Sequence, residues 1–128
     1  MSNVPTQFRY TNDHEWLHPE GDQWKVGITQ FATNQLGDIT IVDIPSVGRQ
    51  VAKGDQFGTI ESVKSVSELY APVSGKIIAV NETLADSPEN VNTDSYGDGW
   101  LVTIEPSDKA ELAELMDAAA YTKHIESQ

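Results

Sequence analysis

A mostly β domain made of two quasi-symmetric halves is predicted by three features of the chain. Short apolar runs rich in Val, Ile and Thr recur between Gly, Pro and Asn signals, which is the pattern of a multi-stranded fold. Two stretches, "PSVGRQVAKGD" (45–55) and "PVSGKIIAVNE" (72–82), share the pattern P-x-x-G-basic-x-V/I-A-x-G/N-acid, so the chain repeats a structural unit. Each is followed by a matching returning strand, "FGTIE" (57–61) and "LVTIE" (101–105). At 128 residues there is room for one core, and a single domain over 1–128 is expected.

The elements follow in order. His14 to His18 read as an extended strand entering a turn, because Pro19 disfavours the α region for His18 and Gly21 follows. Strands are expected at Lys25–Ile28, Ile39–Ile44, Phe57–Glu61, Lys76–Val80 and Trp100–Ile104. Between the first two, Thr29–Leu36 reads as a short helix with Thr29 as N-cap and Gly37 as its stop. The second half carries an insertion, "TLADSPENVNTDSYGDG" (83–99), whose turn formers predict a loop. A C-terminal amphipathic helix is expected from about Asp108, with Leu112, Leu115, Met116 and Ala119 on one face and Glu111, Glu114 and Asp117 on the other.

Charge and composition narrow the function. With 20 acidic and 8 basic residues the formal net charge is −12, which argues against nucleic acid and anionic membrane surfaces and points to basic-patched protein partners. No cysteine is present, so disulfides, thiolate catalysis and cysteine-ligated zinc are excluded. The N-terminal "MSNVPTQFRY" has no signal-peptide pattern, and no window approaches 18 apolar residues. A cytoplasmic protein is the expectation.

One motif invites a metal. "HEWLH" (14–18) matches H-E-x-x-H literally, but that chemistry needs both imidazoles on one helical face. In a strand His14 and His18 stand roughly 13 Å apart, beyond the reach of one zinc ion, and the third histidine, His124, falls in the expected C-terminal tail. A zinc hydrolase through His14 and His18 therefore stands only as a rival reading.

Lys64 is the remaining feature. It follows the first returning strand and precedes the second half, with Val63 and Ser65 beside it, so it belongs to the hairpin that joins the halves. Schiff-base lysines are buried among other catalytic groups. A lysine on an exposed tip instead suits entry into a modifying enzyme and the carrying of a tether. On this reading Val63 and Val66 would pin the hairpin, giving the tether a rigid base.

"GDQFGTIESVKSVSELYAPVSGKIIAVN" (54–81) resembles a lipoyl attachment segment, specifically that of the glycine cleavage system H protein family. The resemblance continues through "HEW" (14–16), "VGITQFATNQLGDI" (26–39), "VDIPSVG" (42–48), "YGDGWL" (96–101) and "LMDAAAY" (115–121). It implies a lipoyl-domain-like fold, a flattened barrel or barrel-sandwich hybrid with short helices. It also implies that lipoate is attached covalently to Lys64, and that the protein is a non-catalytic carrier in glycine catabolism and one-carbon metabolism.

The partners implied are a pyridoxal-phosphate glycine decarboxylase, a tetrahydrofolate-dependent aminomethyltransferase, a flavin-dependent dihydrolipoamide dehydrogenase and a lipoate-attaching enzyme. A monomer suits a shuttle that serves several surfaces. Glu15 is expected to shelter the loaded arm in a cleft walled by the Thr29–Leu36 helix, with its carboxylate on the terminal ammonium. Glu61 and Glu68, at −3 and +4 from the lysine, are expected to serve recognition. An unmodified interaction module on the same scaffold is the other alternative.

Overall fold

The apolar alternation along the chain resolves into two sheets in the computed structural model, which describes residues 4–44 and 47–126. The strands are β1 (Arg9–Tyr10), β2 (Glu15–His18), β3 (Trp24–Ile28), β4 (Ile39–Asp43), β5 (Gln50–Val51), β6 (Gln56–Ser62), β7 (Val66–Tyr70), β8 (Gly75–Val80) and β9 (Val102–Pro106). A six-stranded sheet runs β1-β2-β3-β9-β8-β5, and a three-stranded sheet runs β4-β6-β7. Ile39, Ile60 and Leu69 of the smaller sheet share one buried cluster with Leu17, Val26, Ile77, Val102 and Ile104 of the larger. The core therefore lies between the sheets, as expected for a flattened barrel-sandwich.

The repeat has a structural counterpart. Within it β5 and β8 pair antiparallel, Gln50 with Lys76 and Val51 with Gly75, so the two copies meet each other. Their returning strands part company: β6 joins the small sheet and β9 the large one. The first two positions of the upstream copy, residues 45 and 46, lie outside the described residues.

Helix α1 (Gln30–Leu36) forms as expected. The Thr29 hydroxyl accepts from the Ala32 N–H, and the Gly37 N–H donates to the Thr33 carbonyl. Two expectations are corrected. The insertion is not all loop, because it winds into single-turn helices α2 (Thr83–Asp86) and α3 (Asn90–Thr93) that bury Leu84 and Val91. The C-terminal helix is also broken. Asp108 caps a 3-10 turn over Lys109–Glu114, Leu115 turns extended, and Met116 exchanges two 2.9 Å backbone hydrogen bonds with Tyr10. Asp117 then accepts from the Ala120 N–H at 2.8 Å before α4 (Ala118–Glu126). An aspartate satisfies a new helix start better than a helix interior, and the edge of β1 takes the freed backbone.

Helix α4 seals a second cluster of Phe8, Tyr10, Trp16, Ala118 and Tyr121. His124 therefore lies on a packed helix rather than in a tail. Among the described residues, no helix is long and apolar enough to cross a membrane.

Candidate functional site

Lys64 stands at the apex of the β6–β7 hairpin, where Glu61 pairs with Val66 and the residues between them turn. The turn is held by one serine. The Ser62 hydroxyl accepts from the N–H groups of Lys64 (3.2 Å) and Ser65 (3.1 Å), and the Ser62 N–H donates to the Ser65 carbonyl at 2.8 Å. The Val63 N–H donates to the Asp38 carbonyl at 3.1 Å, which ties the turn to the segment after α1. Val63 and Val66 do not pin it by packing. Their side chains are 67% and 61% exposed, and the rigidity comes from hydrogen bonds instead.

The lysine is exposed, and among the described residues no carboxylate stands within ion-pair distance of its amine. Its stem crosses Gly37, where an added Cβ would stand 3.0 Å from Lys64 Cε. The ammonium thus rests beside the C-terminal end of α1, the negative end of the helix. An exposed amine on a stiff turn, with no ion-pair partner among the described residues, is open to acylation.

Glu15 opens β2 and is almost wholly buried. The Thr11 hydroxyl donates to its Oε1 at 2.7 Å and the Tyr70 N–H to its Oε2 at 3.3 Å. Burial dominates and pushes its pKa up to about 8, opposed by these two hydrogen bonds and reinforced by the Asp13 charge. Tyr70 can reach it because β7 is an edge strand of the small sheet, so an N–H on its free edge has no strand partner.

A cavity of about 180 Å³ opens at Glu15, with Asp13, Lys53, Tyr70, Pro72 and Leu115 in its walls. Helix α1 contributes nothing to this lining. It packs behind the β1–β2 turn instead, where Phe31 meets the His14 ring at 4.8 Å. The expected helical wall is replaced by the end of β7 and the C-terminal segment, because the turn stands between α1 and the carboxyl.

Glu61 and Glu68 both lie on the outer face of the small sheet but in separate rows. Ile41, Glu61 and Val66 are paired in one, and Asp43, Thr59 and Glu68 in the next. Ile41 and Val66 are 51% and 61% exposed, so Glu61 stands between two bare aliphatic side chains. The Tyr70 hydroxyl donates to Glu68. The structure thus brings Glu61, Glu68 and Lys64 onto one hairpin and sets Glu15 at its far end.

The histidines do not form the helical zinc pattern. Glu15–His18 is a strand, His18 packs on Phe8 at 4.9 Å, and the Nδ1 of His14 bonds the Tyr121 hydroxyl at 2.9 Å. Thr11, Tyr70 and Tyr121 were not foreseen as site residues. Tyr70 acts through its backbone, which carries no side-chain signal, whereas Tyr121 was visible as the end of "LMDAAAY".

Comparison with known proteins gives one consistent result. The profile of the family described as "Glycine cleavage H-protein" matches residues 8–128. A glycine cleavage system H protein from Anaeromyxobacter sp. is 54% identical over 125 residues, spanning 98% of each chain. One from Halalkalibacterium halodurans is 49% identical over 128 residues, the full length of both. The crystal structure of a glycine cleavage system H protein from Mycobacterium marinum superposes with a TM-score of 0.89 at 40% identity, covering 96% of this chain and 99% of that one.

Proposed function

The chain belongs to the glycine cleavage H-protein family, carrier components of the glycine cleavage system, and from that premise we propose that it is a monomeric, cytoplasmic, non-catalytic carrier whose lipoyl group is joined to Lys64. Residues 1–128 form the single carrier domain. Lys64 Nζ would hold lipoate through an amide, and the group would supply a disulfide able to take up an aminomethyl group and to be reoxidised, in the service of a pyridoxal-phosphate glycine decarboxylase, a tetrahydrofolate-dependent aminomethyltransferase and a dihydrolipoamide dehydrogenase.

The residues of the chain do the rest. Ser62 and Asp38 hold the turn that presents Lys64, so little ordering entropy is lost when a partner docks. Glu61 and Glu68 give the lipoate-attaching enzyme and other basic docking faces an acidic target beside the amine. Glu15 receives the arm. An extended lipoyl-lysine arm reaches about 14 Å, and β7 from Val66 to Tyr70 spans roughly 13 Å, so an arm laid back along the free edge of β7 ends at the Glu15 cavity. There the carboxyl meets the terminal ammonium, becomes ionised by its approach, and keeps water from the loaded group.

The observation that carries this reading is the exposed Lys64 amine on a hydrogen-bonded apex without an ion-pair partner among the described residues. Intact mass tests it. Protein made where lipoate is available is expected to gain roughly 188 Da, and the Lys64→Arg variant none. Wild-type protein at its bare mass under those conditions would leave an unmodified interaction module as the function.

A further inference from the structure

The C-terminal helix reaches the turn beside the cleft through the Tyr121 hydroxyl and the His124 ring, which stands 5.7 Å from that of His14. Tyr121 is fully buried, stacked on Tyr10 at 4.6 Å with the rings 12° from parallel. Its hydroxyl touches Thr29 Oγ1 at 2.7 Å and His14 Nδ1 at 2.9 Å. Thr29 is the cap of α1 and its N–H donates to the His14 carbonyl at 2.9 Å. Two segments distant in sequence, the start of α1 and helix α4, therefore converge on one residue of the β1–β2 turn.

That residue is strained. His14 has φ +69°, the left-handed region, which costs an L-residue about 1–2 kcal/mol and persists only where its surroundings hold it. Glu15 follows at once, so a relaxation of His14 would swing the carboxyl that Thr11 and Tyr70 hold. The inner side of the turn is closed by the His14 N–H to the Thr11 carbonyl at 3.2 Å. The outer side is closed by Thr29 and Tyr121.

We propose that Tyr121 is a positioning residue for the Glu15 cleft, its hydroxyl clamping His14 against the start of α1 so that the β1–β2 turn presents Glu15 to the loaded arm. This rests on the carrier reading above. It assigns the C-terminal helix a part in sheltering the cargo, in addition to covering the aromatic cluster.

Tyr121→Phe removes the hydroxyl and keeps the stacked ring. In the unmodified full-length chain, the amide resonance of Tyr70, which reports its bond to Glu15, is expected to move. Ile104→Val, which loosens the main core elsewhere, leaves it in place. In lipoylated protein loaded by the decarboxylase, Tyr121→Phe is expected to lose the aminomethyl group about five-fold faster, the effect of releasing the hydrogen bond that holds His14, while lipoylation of Lys64 proceeds at the parental rate. If the phenylalanine variant fails to fold, His14→Asn takes its place, since asparagine tolerates the left-handed conformation and removes the imidazole contact; the same two changes are expected. An unmoved Tyr70 resonance with a parental lifetime, alongside a shortened lifetime in Glu15→Gln, overturns the inference and leaves the carrier reading standing. An unchanged lifetime in Glu15→Gln itself overturns the sheltering role of Glu15, and this inference with it.

Discussion

Glu15 at the start of β2 and Tyr70 at the end of β7 are joined by one hydrogen bond, from the Tyr70 N–H to Oε2 at 3.3 Å. Burial lifts the folded-state pKa of Glu15 from 4.5 to about 8. Between those values the native state keeps a proton that the unfolded chain has released. The stability linked to Glu15 is therefore complete below the lower value and is lost as pH rises through the upper one. Glu15→Gln, which keeps one carbonyl acceptor for the Tyr70 N–H, turns an amide N–H2 toward the Thr11 hydroxyl and has no proton to lose, is expected to gain on the parent between pH 5 and 8 by at most ~1.4 kcal/mol per unit. Urea denaturation of both at several pH values measures the gap, and parallel curves would remove Glu15 as its source.

The row Ile41–Glu61–Val66 gives the recognition prediction a shape. A carboxylate between two exposed aliphatic side chains loses more of its water on docking than one in open solvent, and its pairing is less screened. Glu61→Lys is therefore expected to slow lipoylation about ten-fold at low salt, and Glu68→Lys by less, because Glu68 lies a row further from the apex. The difference is read from initial rates at two ionic strengths. Rates equal to the parent at both would limit the two acids to solvation of the sheet.

Much of the fold was legible because it is written in local patterns. Thr29 and Gly37 marked the ends of α1, and β4, β6 and β8 sit within a residue of where alternation placed them. Lys64 was legible from its place between two strands. The two-residue strands β1 and β5 are too short to leave a period, and the break at Leu115 depends on a bond to Tyr10 more than a hundred residues away. The cleft was half legible. Glu15 was singled out after the resemblance, but its hydrogen-bond partners Thr11 and Tyr70 arrive through a turn and an edge strand, and no spacing rule connects residues 15 and 70.

Gly37 joins α1 to Lys64. Its φ of +81° with ψ of −155° is a conformation that side chains resist at about 1–3 kcal/mol, and a Cβ there would press on Lys64 Cε at 3.0 Å. Gly37→Ala is expected to lower the melting temperature by several degrees and to displace the lysine stem from the α1 end. Thermal unfolding together with the Lys64 side-chain resonances checks both. A variant with parental stability and unmoved resonances would show that the contact is incidental.

Ser62 tests whether the apex is stiff for a reason. Its hydroxyl accepts from both Lys64 and Ser65, so Ser62→Ala frees two N–H groups that are already near water and costs the fold about 1 kcal/mol. The consequence for modification is larger in kind than in size. A loosened turn must be ordered anew whenever the attaching enzyme binds, and that entropy is charged to docking rather than to acyl transfer. Ser62→Ala is therefore expected to raise KM for the carrier two- to five-fold, about the effect of 0.5–1 kcal/mol, with kcat unchanged. A fall in kcat at constant KM would mean instead that the serine helps align Nζ with the activated acyl group, and would move Ser62 from holding the turn to assisting the reaction.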